Sequence, residues 1–554
     1  MNLRLALLPA LLSATAALAA ESPAAPSAAR ILERTKILAA DEFEGRAPGT
    51  PGEDKTIAYL TSEFRKLGLL PGNPDGTYVQ AVPSVGITSQ ASLAFTVGAE
   101  RLTPQVGLDF IALSRRREAH VALPDSEIVF AGYGVTAPEF GWDDFKDVDV
   151  RGKTVVMLIN DPPIVDAATG RLDEAVFGGA AMTYYGRWTY KFESASARGA
   201  SAVLIVHETG PAGYPFAVIA AGSGRETFDV SAPAGTVERV AVEGWITVDT
   251  ARRLCAAAGH DFAALKAAAA RRDFRPVALA PARAHFAVAN VVRPVVSHNV
   301  IALLPGADPV LRDEFVVYSA HWDAYGRDPS REGDQILNGA ADNALAVAMM
   351  LDLAEVAAAL PAAERPRRSL LFFAPTYEEK GILGSRYYAE HPLHPLARTA
   401  ANLNLEPLGP GPAYGATRDL EIVGRNPSTI DDYAQEIARE QDRVLRPDAE
   451  PEKGYYYRSD HIEFAKVGVP SFFARAGVEI IGQPPGTGEK LRLDYLVHDY
   501  HKISDEVKPD WTMEGAAHDA RFLLALGLRI ANADAMPVWK PGTEFEAVRA
   551  ASLK

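Results

Sequence analysis

From residue 297 onward the chain alternates short, wholly apolar runs with a long helical stretch, and that alternation leaves few folds open. "SHNVIALLPGADP" is followed by "EFVVYSAHWD", then "ADNALAVAMMLDLAEVAAAL", then "RSLLFFAPT". The apolar runs lack the polar alternation of a half-exposed strand, so they read as strands buried on both faces. Between them, Leu345, Met349, Leu353, Val356 and Leu360 recur at helical spacing. Strand, helix and strand in this order predict an α/β fold: a mostly parallel central sheet covered by helices on both faces. In such sheets ligands gather beyond the carboxyl ends of the strands, which is where chemistry is to be sought.

At 554 residues the chain is too long for one compact core. Near the start, Ile57, Leu60, Phe64 and Leu67 predict a helix capped by Gly68, and "EGRAPGTPGE" before it reads as a loop. From about 120 to 285 the texture changes to short strands ("EIVFAGYGV", "GKTVVMLIND", "GASAVLIVHE") with one helix, "YKFESASARGA", and no cluster of metal ligands. This stretch reads as an inserted β-rich module for binding or shaping. A net charge of −15 argues against a nucleic-acid partner, which calls for a basic face. Residues 1–20, with one Arg, a Leu/Ala run and Ala17-Leu18-Ala19, have the pattern of a signal peptide, so a periplasmic or secreted location is expected. A Pro/Ala/Ser linker follows over 21–30, and no cysteine follows the apolar run to carry a lipid anchor. No later stretch is long enough to span a bilayer. Cys255 stands alone, so no intramolecular disulfide can form; its setting, "ARRLCAAAGH", predicts a packed helix position.

The strand ends carry a set of polar residues. His321 and Asp323 close "YSAHWD", Asp342 precedes the long helix, Glu378 and Glu379 follow "RSLLFFAPT", Glu406 ends "ANLNLE", and His501 stands in "HDYHKISDE". Two imidazoles and several carboxylates suit Zn2+ or a similar divalent ion. With one carboxylate bridging, five ligands can hold two ions, each met by one His and two carboxylates. Such a pair polarises a carbonyl and acidifies water, and a further carboxylate beside it can take the water's proton. One glutamate of the adjacent pair then binds metal and the other is the base. Asp323 is placed to orient the His321 imidazole from behind. His461 and His498 compete with His501 for the last position.

The ordered set "HWDAYG … NGAADNALAV … YEEKGILGS … NLNLEPLG … SDHIEFAKVGVPSF … DYHKISDE" resembles the M28 family of zinc metallopeptidases, of the bacterial aminopeptidase type. "VFAGYGVTAPEFGWDDFKDVDVRGKTVVML" is similar to a protease-associated (PA) domain. The resemblance implies a three-layer α/β/α catalytic domain over 31–119 and 286–535, a PA domain inserted at 120–285, and a tail at 536–554. It implies an exopeptidase acting on peptides with two Zn2+ per chain. His321 and Glu406 would bind one ion, Glu379 and His501 the other, and Asp342 would bridge. Glu378 would be the general base, and Tyr500 would steady the oxyanion. The "SDH" segment matches a loop near the substrate, which favours His501 over His461. Glu406 departs from the family's usual Asp, lengthening that ligand arm. Glutamate-releasing carboxypeptidase, dipeptidase and glutaminyl cyclase-like activities share the fold, as do receptor-like ectodomains that have lost ligands. M20-type enzymes share the ligand order but place a lid between the fourth ligand and the last His, where this chain has little room.

Overall fold

In a computed structural model of the chain, residues 25–230, 238–407, 409, 411–424 and 427–553 are described; the expected signal peptide lies outside them. Strands β1 (Val79–Val97), β2 (His120–Phe130), β3 (Thr154–Leu158), β4 (Ala202–His207), β5 (Val242–Thr247) and β6 (Val277–Leu304) come first in the chain. They are followed by β7 (Phe315–Ser319), β8 (Ser369–Ala374), β9 (Thr399–Asn404), β10 (Asp419–Ile422), β11 (Val444–Pro447) and β12 (Ser471–Ala476). One hydrogen-bonded path runs β11-β10-β12-β9-β7-β8-β6-β2-β3-β4-β5. Within it β8, β7, β9 and β12 are parallel neighbours, and so are β2, β3, β4 and β5. The chain is therefore α/β with a large, mostly parallel sheet.

β6 joins the two wings. Its C-terminal end, Val300–Leu304, pairs antiparallel with β8, its first half pairs with β2, and β1 runs beside it from Ala282 to Val300. The boundary expected at 285/286 falls inside this 28-residue strand. On either side lies a separate apolar core. One gathers β7–β9 with the helices; the other gathers residues from Leu93 to Val288 and includes Cys255, buried on the helix Val248–Ala257.

Helix α1 (Ala28–Leu38), α2 (Pro51–Lys66), α3 (Leu345–Ala359) and α4 (Glu514–Asn532) cover the wing that holds β7–β9. α3 is buried nearly all round rather than along one stripe, because α1 and α4 pack over the side that the sheet leaves open. Its small residues, Ala346, Ala348, Ala354 and Ala357, permit that close fit. Asp352 is buried on α3 and its charge is met by Arg30 Nε at 2.6 Å, Arg34 Nη1 at 3.3 Å and the amide of Ser27 at 2.8 Å. The segment expected as a loop, residues 44–53, has left-handed backbone at Glu44, Gly45 and Arg46, and only its end is helical: α2 starts at Pro51, where proline's fixed φ suits a first turn. Among the described residues no helix is long and apolar enough to cross a membrane.

Candidate metal centre

The site forms where β7, β8 and β9 stop side by side. β7 ends at Ser319 and delivers His321 and Asp323; β9 ends at Asn404 and delivers Glu406. β8 ends at Ala374, and Glu378 and Glu379 sit not on the strand end but in a 3-10 turn, Glu378–Lys380. Successive residues in such a turn are about 120° apart, so the two carboxylates still diverge. Asp342 lies in a widened turn, Ala340–Ala344, ahead of α3. His501 adopts φ 57°, a left-handed conformation unusual for histidine and of the kind held in place at working sites.

These segments converge. Asp342 stands between the two imidazoles: Oδ1 is 3.4 Å from His321 Nε2, and Oδ2 is 3.3 Å from His501 Nε2. Glu379 Oε2 is 3.4 Å from His501 Nε2, and Glu378 Oε2 is 3.9 Å from His321 Nε2. Asp342, Glu379 and His501 each offer a donor atom within 4.8 Å of the others. Glu406 faces the same cavity but makes no such contact with either imidazole; its carboxylate accepts a hydrogen bond from the Ser459 hydroxyl. Tyr500 stacks on His501, with ring centroids 3.7 Å apart.

Asp323 differs from its expected part. The His321 Nδ1–H donates to the backbone carbonyl of Asp323 at 3.1 Å, while the carboxylate stays 3.8 Å away. That carboxylate instead accepts from the amides of Glu378 (3.0 Å) and Glu379 (3.3 Å). Because β7 and β8 are adjacent and parallel, the residue after one strand can cap the turn after the other. Asp323 therefore positions the glutamate pair, and the imidazole is oriented by main chain. The competing histidines are elsewhere. His461 is buried between the rings of Tyr456 and Phe473, and burial pulls it down to about 3, so it packs as a neutral ring. His498 is exposed at the end of the helix Thr487–His498.

Three supporting residues carry no signal of their own in the sequence. Arg46, fully buried, donates to the carbonyls of Trp322 (2.9 Å), Leu38 and Asn338 (both 2.7 Å) and Gly339 (2.9 Å), tying the His321 and Asp342 loops together. Gly45 admits it: at φ 67° a Cβ there would lie 2.5 Å from the carbonyl oxygen of Leu337. Asp505 accepts from the amides of Ala341 (2.9 Å) and Asp342 (3.2 Å) and so sets the Asp342 turn. Tyr325 places its hydroxyl 3.1 Å from His501 Nδ1, which leaves Nε2 facing the carboxylates.

The electrostatics ask for a cation. Burial, reinforced by the charge of Asp342, pushes Glu379 up to about 7 and Glu406 up to about 8, against the pull of the imidazoles. Burial lifts Glu378 well above the carboxylate range, with Glu406 and Glu379 adding to it. Burial opposes protonation of His321, yet Glu378, Asp342 and Asp323 together hold it well above an ordinary imidazole. Among the described residues two buried polar atoms of the cluster, His321 Nε2 and Glu379 Oε1, have no hydrogen-bond partner. Surplus buried negative charge, unspent imidazole nitrogen and an N/O donor set fit a divalent ion such as zinc.

Residues 299–524, which contain every one of these metal-facing groups, match the model of peptidase family M28. This part of the chain is an M28 peptidase domain. Over 132 residues the chain is 31% identical to a protein of Pyrenophora teres f. teres (strain 0-1) named "probable zinc metalloprotease". It is 30% identical over 132 residues to one of the same name from Pyrenophora tritici-repentis (strain Pt-1C-BFP). Each alignment spans 24% of this chain and only 26% or 28% of the relative. Among solved structures, an aminopeptidase from Aneurinibacillus sp. strain AM-1 aligns over 93% of this chain and 96% of its own, at 19% identity and TM-score 0.47. A zinc aminopeptidase from Bacillus subtilis aligns over 95% of this chain and 98% of its own, at 16% identity and TM-score 0.40. The M28 segment stops short of β1–β5, which lie outside the match.

Proposed function

We propose that the chain is an exported zinc exopeptidase with a two-metal centre, an aminopeptidase that removes N-terminal residues from peptides. The observation that carries this reading is Asp342, whose two carboxylate oxygens each face the Nε2 of a different histidine at 3.3–3.4 Å. His321, Glu406 and Asp342 would hold one zinc ion, and Asp342, Glu379 and His501 the other. Bound there, zinc supplies Lewis acidity toward a carbonyl and acidifies water. Glu378 is the carboxylate left over. It takes the proton of the attacking water and returns it to the leaving amine as the C–N bond breaks. Tyr500, stacked on His501 and lining the cavity, would donate to the oxyanion that forms on the substrate carbonyl. The free α-ammonium of a peptide has Glu378, Glu379 and Glu406 to meet it in the cavity. The β-rich segment 120–285, taken as the protease-associated module, contributes Tyr184, Arg187 and Trp188 to the cavity wall.

The test is a set of peptides with free and acetylated N-termini, digested before and after chelation. Free N-termini should be trimmed one residue at a time and acetylated ones left whole. Chelation should abolish cleavage and Zn2+ or Co2+ should restore it. Full activity in metal-stripped protein would remove the metallopeptidase reading, and equal cleavage of acetylated peptides would remove the aminopeptidase. Export rests on the leader pattern of residues 1–20. Protein from native cells should begin at Ala20 or Glu21; an intact Met1 would overturn it.

A further inference from the structure

The catalytic cavity, about 500 Å³, joins two chemically opposite surfaces. Asp342, Glu378, Glu379 and Glu406 line one part, while several arginines line another, in a chain whose net charge is −15. Five of those arginines already face carboxylates: Arg115 faces Glu243, Arg239 faces Asp229, Arg386 faces Glu390, and Arg475 and Arg492 face Glu421. Arg187 and Arg458 do not. Among the described residues neither makes an ion pair, and the Nε of each is buried without a hydrogen bond. The Arg458 guanidinium gives one hydrogen bond, to the Lys453 carbonyl at 2.6 Å, and lies 5.1 Å over the Tyr455 ring. Among the described residues Arg187 gives none from its side chain. Burial, and then the charge of Arg458, pull Arg187 down to about 9.

We propose that Arg187 and Arg458 form a carboxylate-binding subsite, and that the enzyme prefers short peptides carrying a free carboxylate beside the scissile bond. The inference rests on the peptidase reading above and adds its substrate class. A partly buried guanidinium without a counter-ion is costly, and persists where a ligand supplies the charge. The guanidinium fork matches a carboxylate in two parallel hydrogen bonds, which an ammonium could not do. Both arginines are held on fixed elements. Arg187 stands between the turn Tyr184–Gly186 and the helix Trp188–Ser196, and Lys191 Nζ pins that turn through the Tyr185 carbonyl at 2.7 Å. Arg458 directly precedes Ser459, whose hydroxyl holds Glu406, so the subsite is tied through one residue to the metal-facing groups. Both groups line one cavity of about 500 Å³, so a substrate with its ammonium at the glutamates and its carboxylate at the arginines is a short peptide.

The carboxylate could be a C-terminus or an acidic side chain, and matched pairs separate the two. Leu-Gly-Gly is compared with its C-terminal amide, and Leu-Asp-Gly amide with Leu-Asn-Gly amide, on the metal-loaded full chain. One pair should show kcat/KM favouring the carboxylate by about 30-fold or more, the loss expected when one partner of a buried charge pair is removed. In Arg187→Met and Arg458→Met that ratio should fall to a few-fold. Arg187→Met should also melt at or above the wild type, since it removes an uncompensated, partly buried charge; a purely structural arginine would melt lower. Cleavage of all four peptides with ratios near one would overturn the subsite and spare the peptidase reading. If no peptide is cut, the peptidase reading falls, and calorimetric titration with Leu-Gly-Gly and its amide still decides the subsite: equal binding rejects it.

Discussion

Glu378→Gln is expected to lower kcat by roughly 10²–10⁴ while the metal content stays at the wild-type value, the effect of removing a positioned general base. The substitution keeps size and shape but deprives the side chain of the basic oxygen that accepts the water's proton. Glu378 Oε2 is 3.9 Å from His321 Nε2, whereas Glu379 Oε2 is 3.4 Å from His501 Nε2 and its other oxygen is buried without a partner. On the proposed reading Glu379 is the ligand and Glu378 the base that serves the substrate. The companion variant, Glu379→Gln, should lose metal from the His501 side and recover part of its activity at high metal concentration. Elemental analysis and kcat on both variants decide the assignment. Zinc lost from Glu378→Gln and kept by Glu379→Gln would exchange the two roles. The Asp323 bonds to both backbone amides do not depend on either side chain, so the turn itself should survive both changes.

His321, Asp342, Glu378, Glu379 and Glu406 were legible because each follows an apolar run that reads as a buried strand or begins the helix between two such strands, whereas His501 follows the helix Thr487–His498 and was singled out only by the family resemblance. What was illegible is how they are held. Arg46 reaches carbonyls nearly three hundred positions away, and Asp505 fixes a turn on a distant segment through main-chain bonds. Such bonds depend on which loops the topology brings together, and no local spacing encodes that. Asp323 shows the same limit at close range. Its proximity to His321 suggested a carboxylate–imidazole pair, but the parallel pairing of β7 with β8 offers two backbone amides that bind the carboxylate better. α3 misled in another way. The apolar stripe is present, yet the remaining faces are mostly alanine, and helices α1 and α4 close over them. The charge of Asp352 gave no warning, because its partners Arg30 and Arg34 lie 322 and 318 positions earlier in the chain.

Asp342→Ala carries the largest expected effect: loss of both ions and of activity. Two dications held about 3.5–4 Å apart repel strongly, and a carboxylate between them offsets that repulsion as no one-sided ligand can. Asp342 stands between two imidazoles, which, against the opposing effect of burial, hold its carboxyl well below the usual carboxylate range. Residues that merely support a ligand typically cost 10–100-fold in metal affinity when changed, so removing a ligand shared by both ions should cost more than about 10²-fold at each. Asp342→Asn sharpens the test, because it keeps the volume and one oxygen but neither the charge nor the second acceptor. It too should bind metal poorly. Neither change should unfold the turn, since Asp505 grips it through the amides of Ala341 and Asp342 rather than through the side chain. Both variants should therefore show a cooperative melt and a native circular dichroism spectrum while elemental analysis finds less than one zinc per chain. Two zinc ions retained in Asp342→Ala would mean that the carboxylate spans the two imidazoles without bridging the metals, and the two-metal proposal would lose its central residue.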